Sequence, residues 1–316
     1  MIKVENLSKN YGDVQAVKSI NFELNDGEVV GFLGANGAGK STTLKVMTGY
    51  LSPTKGNVYV NDFNILEHTH EIQKQIGYLP ELNPLYTEMK VFDLLEFTGN
   101  IRNVTGKKFK DALARVVEQC GLKGVIHKTI AECSKGYKQR IGLACAMIHD
   151  PKILILDEPV TGLDPNQIVE IRGLIKKLGK EKLVLMSSHI LQEIQATVDR
   201  IIIIDQGSIV ADGTSEELIS DSQSMVQLHL DILNAEENDI QDMKAVIPAI
   251  NVKTVKKSED SVSVTLEYQH TSDPRKEVFN YAVDKGWVLT EMSLSRKNLE
   301  DIFRNLTGKN SGATDA

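Results

Sequence analysis

The sequence is short of cysteine, aromatic side chains, long apolar runs and positive charge. Its three cysteines, Cys120, Cys133 and Cys145, are scattered with no C-x-x-C pair, which fits a reducing compartment and argues against structural zinc. The longest purely aliphatic runs, Ile153–Leu156 and Ile201–Ile204, fall far short of the roughly 20 residues that cross a bilayer. The opening residues, MIKVENLSKNYGD, lack the apolar core of a secretory signal, so the expected location is cytoplasmic. Lysine and arginine number 36 against 43 acids, a formal charge of −7, and no nucleic-acid partner is expected. Hydrophobic residues at 41% and charged residues at 25% exclude a disordered or low-complexity chain. The 316 residues, at about 100–200 per domain, predict two domains.

What is present is an alternation. The apolar runs Val29–Leu33, Ile153–Leu156, Leu183–Ser187 and Ile201–Asp205 are separated by helical periodicity, the pattern of parallel strands buried on both faces of an α/β sheet. Asp164 and Pro165 start a helix as N-cap and first residue, and Gly179 ends it. Ile2–Glu5, Val14–Leu24 and Asn57–Val60 alternate instead, predicting an antiparallel layer beside the parallel core. Val91, Leu94, Leu95 and Phe97 exemplify a helical subdomain over about 85–145. The first domain is expected over 1–220, and the polar stretch Ser215–Ser224 reads as a linker. Beyond it, strands at Val226–Ile232, Asn251–Val255, Val262–Tyr268 and Val288–Leu294 enclose helices at Asn238–Val246 and Pro274–Lys285. That β-α-β-β-α-β order predicts an α+β domain over 225–307, closed by a helix with Leu299, Ile302, Phe303 and Leu306 on one face. Residues 308–316 read as a disordered tail.

Gly34-Ala-Asn-Gly-Ala-Gly39-Lys40-Ser41 satisfies G-x-x-x-x-G-K-[ST] between an apolar strand and a helix, the context in which that pattern binds polyphosphate. Glycines let the backbone wrap closely, so that successive N–H groups point inward, and the helix N-terminus adds partial positive charge. Asn36, Gly37, Gly39, Lys40, Ser41 and Thr42 are therefore candidate nucleotide-binding positions. Lys40 suits the β- and γ-phosphates, and the Ser41 hydroxyl suits Mg²⁺. Ile153–Leu156 then delivers Asp157 and Glu158 to the sheet edge where α/β proteins bind ligands. Asp157 suits the metal and Glu158 suits polarising an attacking water.

Cys133-Ser134-Lys135-Gly136-Tyr137-Lys138-Gln139-Arg140, shortly before that acidic strand, resembles the LSGGQ signature of the ABC ATPases. P-loop, signature and acidic strand stand in that family's order. Thr161-Gly162-Leu163-Asp164 resembles its D-loop, His189 its switch histidine, Tyr11 its adenine-stacking aromatic, and Glu81 occupies the place of its Q-loop glutamine. The resemblance covers about residues 1–215. It departs at Cys133, Lys135, Tyr137 and Glu81, and keeps Ser134 and Gly136. It implies a P-loop NTPase fold: a RecA-like parallel core, an antiparallel layer and a helical subdomain, here followed by a ferredoxin-like domain. It implies ATP and Mg²⁺, with His189 as a γ-phosphate sensor and Glu81 near the metal. It implies a head-to-tail homodimer, or a pair with a homologous ATPase, in which Ser134, Gly136 and Asp164 face the other subunit's nucleotide. Ser134 is expected to open a helix over Tyr137–Ile148, which offers phosphate a second helix N-terminus. The family drives a separate integral membrane permease from the inner face of the cell membrane. Tyr78–Tyr86 and Ser134–Arg140 resemble the ABC-2 type subfamily and, within it, the gliding-motility-associated, GldA-like ATPases.

Alternatives fit less well. ABC ATPases that act on ribosomes or DNA carry two nucleotide domains or a long coiled coil, and this chain has one P-loop and no heptad array over 49–133. A P-loop kinase or GTPase leaves the signature-like and D-loop-like strings unexplained. His68 and His70 read as solvated side chains, Cys120 and Cys145 as small buried residues, and Trp287 as core of the second domain. Leu85, Tyr86 and Met89, beside Glu81, fit either a groove for a partner helix or an ordinary packing cluster.

Overall fold

The computed structural model describes residues 1–222, 225–258, 261–269, 272–295 and 299–308. Its chain divides into two compact units, Met1–Ser215 and Glu216–Gly308. In the larger unit, strands β1 (Ile2–Tyr11) and β2 (Val14–Leu24) form an antiparallel ribbon. Next come β3 (Val29–Leu33), α1 (Lys40–Met47), β4 (Lys55–Val60), β5 (Phe63–Asn64), α2 (Thr69–Gln75) and β6 (Ile76–Leu79). Helices α3 (Val91–Ile101), α4 (Gly106–Gln119) and α5 (Lys135–Met147) follow, and then β7 (Ile153–Leu156), α6 (Pro165–Gly179) and β8 (Leu183–Ser188). The series ends with α7 (Leu191–Gln195), β9 (Arg200–Asp205) and β10 (Ser208–Gly213); α8 (Ser215–Ser222) starts at the boundary and from Glu216 on belongs to the smaller unit.

The strands make two sheets, ordered β2-β1-β4-β5 and β10-β9-β3-β8-β7-β6. In the second, β9, β3, β8, β7 and β6 pair in parallel and β10 is an antiparallel edge. Every residue of β3, β7 and β8 is buried, so helices or the other sheet must cover both faces. The first sheet supplies one cover: Phe22 of β2 packs on Phe32 of β3 with ring centroids 5.8 Å apart, inside a core shared with Leu44 and Met47 of α1. Truncating the fully buried Phe32 to alanine costs about 3–5 kcal/mol. Parallel pairing of β3 with β8 and of β8 with β7 brings their C-terminal ends to one edge.

The smaller unit contains β11 (Met225–Leu233), α9 (Glu237–Val246), β12 (Ile250–Lys257), β13 (Ser261–Gln269), α10 (Arg275–Asp284), β14 (Val288–Ser295) and α11 (Leu299–Gly308). Its antiparallel sheet runs β12-β13-β11-β14, the ferredoxin-like order. Buried and half-buried residues alternate along β13, and its buried set packs with Ile240 and Met243 of α9 and Val278 and Tyr281 of α10. Trp287 closes this core, with its ring 5.4 Å from Tyr281.

One expected feature is corrected. The proposed linker Ser215–Ser224 is helical over Ser215–Ser222. Glu216 and Glu217 stand in its first turn, where acids favour the positive pole of a helix, and this outweighs the polar composition. The proposed tail lies, from residue 309 on, outside the described residues.

Candidate active site

The loop after β3 is held by its backbone before any side chain acts. Gly34 N–H donates to Ser188 O at 3.3 Å, and Gly207 N–H donates to Ala38 O at 2.9 Å. Gly39 has φ 110°, and a Cβ there would lie 2.7 Å from the Ala16 carbonyl oxygen, so only glycine fits. Lys40 opens α1 yet is only 6% exposed. Its ammonium donates to the carbonyls of Gly34 at 2.7 Å and Ala35 at 3.2 Å, and lies 3.5 Å from Glu158 Oε1.

The acidic strand end meets this loop. Asp157 is 1% exposed and accepts from Ser41 Oγ at 3.1 Å and Ser187 Oγ at 2.7 Å. Glu158, 4% exposed, has a left-handed backbone with φ 49°, a strained conformation that clusters at functional sites. Its N–H donates to Ser187 Oγ at 2.9 Å, and its carboxylate accepts from Thr161 Oγ1 at 3.0 Å. His189 Nδ1 lies 3.1 and 3.0 Å from the two carboxylate oxygens of Glu158. Two adjacent buried carboxylates are tolerable here because Lys40, two serine hydroxyls and a threonine hydroxyl compensate them.

Asn36, Gly37, Gly39, Lys40, Ser41, Thr42, Glu81 and Glu158 line one cavity of about 290 Å³. Tyr11 is outside that lining; it is 47% exposed, with the Lys9 ammonium 5.5 Å over its ring. Ser134, Gly136 and Asp164 also lie outside it. Ser134 is the exposed N-cap of α5 and accepts from Tyr137 N–H at 3.3 Å; Gly136 is buried against the Gln167 side chain. Asp164 caps α6 by accepting from Gln167 N–H at 3.0 Å. Ser187 and Thr161 went unnoticed in the sequence as partners of the acids. The paired serines that end a fully buried strand were the available signal.

Among the described residues no three His, Cys, Asp or Glu side chains gather as a metal site. The Ser41 hydroxyl and Asp157 carboxylate are hard oxygen donors, the kind Mg²⁺ takes together with phosphate oxygens. A larger cavity, about 550 Å³, lies elsewhere in this unit and is lined by Tyr50, His70, Lys74, Tyr78, Ile101, Arg102 and His149 among others. Burial first, then the Arg102 charge, pushes His149 down to about 4. Burial pushes the thiols of Cys120 and Cys145 up to about 12 and 11, which makes both unreactive.

A Gly-rich loop between strand and helix, a buried lysine and an acidic strand end on a parallel sheet define a P-loop ATPase. The ABC transporter family model matches residues 17–161. The linearmycin resistance ATP-binding protein LnrL of Bacillus subtilis is 32% identical over 98% of this chain and 99% of its own length. The bacitracin transport ATP-binding protein BcrA of Bacillus licheniformis is 32% identical over 98% of this chain and 97% of its own. Among solved structures, a dimeric bacterial ABC transporter cassette is 25% identical with a TM-score of 0.62, covering 68% of this chain and 98% of that one. This chain belongs to the ABC transporter ATP-binding proteins, and its enzymatic activity is ATP hydrolysis.

Proposed function

We propose that the chain powers an ABC-2 type exporter as a head-to-tail dimer bound beneath a separate membrane permease. The observation that carries this reading is the separation of two half-sites. Lys40, Ser41, Asp157, Glu158 and His189 are drawn together by direct contacts between Lys40 and Glu158, Ser41 and Asp157, and His189 and Glu158, whereas Ser134 and Asp164 spend their side chains on capping their own helices. A second copy, turned head to tail, supplies the missing half. The exposed N-terminus of α5 has no acidic residue in its first turn, so it is free to receive phosphate. The likeness to a dimeric cassette supports the same arrangement.

In this reading Asn36, Gly37, Gly39 and Thr42 cradle the phosphates through their N–H groups and Lys40 neutralises them. Ser41 and Asp157 hold Mg²⁺, with Glu81 as a further oxygen donor on the same cavity. The metal, when bound, offsets charge on the phosphate oxygens. Glu158 orients and polarises the attacking water, His189 contacts the γ-phosphate, and Tyr11 stacks on adenine. Ser134, Gly136 and Asp164 complete the partner's site.

No helix among the described residues is long and apolar enough to cross a membrane. In this reading the permease is a separate polypeptide and this subunit sits peripherally on the inner face. The 550 Å³ cavity suits the docking of that permease. Its lining carries Lys74, Arg102 and two histidines but no carboxylate, beside the exposed Tyr50 and Ile101, so it accepts an amphipathic segment with an acidic side chain. The resemblance to GldA-like ATPases supports the ABC-2 assignment, and relatives named for bacitracin transport and linearmycin resistance favour an antimicrobial cargo. The test is purification of the Glu158→Gln protein with ATP from solubilised membranes. A co-purifying membrane protein is expected; recovery of ribosomes or DNA alone overturns the transport reading.

A further inference from the structure

Glu193 is a carboxylate to which the hydrolysis reading gives no part, although it is only 6% exposed. It is the third residue of α7, a helix of 5 residues whose N-cap is Ile190. A glutamate at that position ordinarily accepts directly from the N-cap backbone N–H. Here a hydroxyl is interposed. Ile190 N–H donates to Ser188 Oγ at 3.0 Å, and Ser188 Oγ donates to Glu193 Oε2 at 2.7 Å. A serine hydroxyl has one proton. Committing it to Glu193 leaves the oxygen's lone pairs for the Ile190 N–H, which fixes the chain on the far side of His189. On the near side, the Ser188 carbonyl accepts from Gly34 N–H at the start of the phosphate loop, at 3.3 Å. His189 is the one residue between these two ties, and its Nδ1 lies 3.0 Å from Glu158 Oε2.

Capping so short a helix does not by itself call for a buried charge; an exposed serine, threonine or aspartate at the N-cap does that at lower desolvation cost. A charged acceptor makes the stronger and more directional bond. We infer that Ser188 and Glu193 are positioning residues, which clamp the backbone on either side of His189 and so hold its imidazole against Glu158. The proposal rests on the reading that Glu158 and His189 act on ATP.

The experiment is steady-state ATP hydrolysis by the full chain carrying Ser188→Ala, Glu193→Ala, Glu193→Gln or His189→Ala, with melting temperatures recorded alongside. Misplacing a catalytic group by about 1 Å costs up to about 10²-fold. Ser188→Ala and Glu193→Ala are each expected to lower kcat at least about tenfold with KM for ATP within about twofold. Glu193→Gln, whose amide oxygen still accepts the Ser188 proton, is expected to restore kcat to within about threefold of wild type. If His189→Ala keeps full kcat, the role of His189 falls, and this proposal with it. If His189→Ala loses kcat while Ser188→Ala and Glu193→Ala retain it, only the positioning role falls. A loss of kcat that tracks losses of ATP affinity and melting temperature marks a purely structural tie and also overturns it. Should Glu193→Ala fail to fold, Ser188→Ala decides, since it deletes a single hydroxyl.

Discussion

The two parts of the larger unit that bear phosphate-binding motifs are built in opposite ways. At the P-loop, Lys40, Asp157 and Glu158 are buried, and each is compensated within the chain. At the start of α5, Ser134 is exposed, no acid occupies the first turn, and Lys135 and Lys138 add positive charge to the positive pole of the helix. One region satisfies its own charges and the other leaves them for something outside. In the proposed dimer, that contrast separates a site assembled by folding from one that a second copy would complete.

The contrast breaks most sharply under substitution at the buried edge. Lys40→Ala and Glu158→Gln each remove a preorganised contact of about 3–4 kcal/mol, so phosphate release should fall about 10²–10³-fold. Wild-type hydrolysis in both variants would refute the site. At the exposed edge, association should suffer instead. The Glu158→Gln chain is expected to dimerise with ATP in a light-scattering measurement, and Ser134→Arg placed in it should abolish that dimer while nucleotide binding by the monomer persists. A dimer that survives would mean that the α5 terminus faces no partner phosphate. Asp164→Ala removes the cap of α6 and should cost about 0.5–2 kcal/mol in denaturant unfolding. A change below a few tenths would show that the cap adds no stability there.

A further effect lies away from both edges. His149 titrates near 4 in the folded chain because it is buried, against an ordinary value of 6.5. The unfolded chain takes up that proton first as pH falls, so stability should decline from about pH 6.5 towards pH 4 and be unaffected above. A His149→Asn chain should show a shallower loss in melting temperature between pH 7 and pH 5. Equal slopes would assign the acid sensitivity to other groups.

Much of the fold was legible because its signals are local. Ile153–Leu156 and Leu183–Ser188 read as central parallel strands since aliphatic side chains occupy both faces. Strand β6, with the sequence IGYL, and the five-residue α7 carry too little periodicity to declare themselves. Ser215–Ser222 shows the converse: composition suggested a linker, and the acids of its first turn favoured a helix. The meeting of Lys40 and Ser41 with Asp157 and Glu158 follows from motifs that require a strand end and a helix start. Ser187 was hidden because its partner Asp157 lies 30 residues away and is chosen by tertiary proximity; Thr161 and Glu193 bond Glu158 and Ser188 close by in the chain, but in turns that no helix or strand period describes.

The contacts of Lys40 carry a final consequence. Its ammonium already grips two carbonyls and faces Glu158, so a phosphate bound there as proposed would compete with these partners. Eviction would strip Glu158 of its cation and leave it to Thr161 and His189. In the proposed reading, the arrival of nucleotide would thereby arm the carboxylate, with the same lysine as safety catch and as clamp.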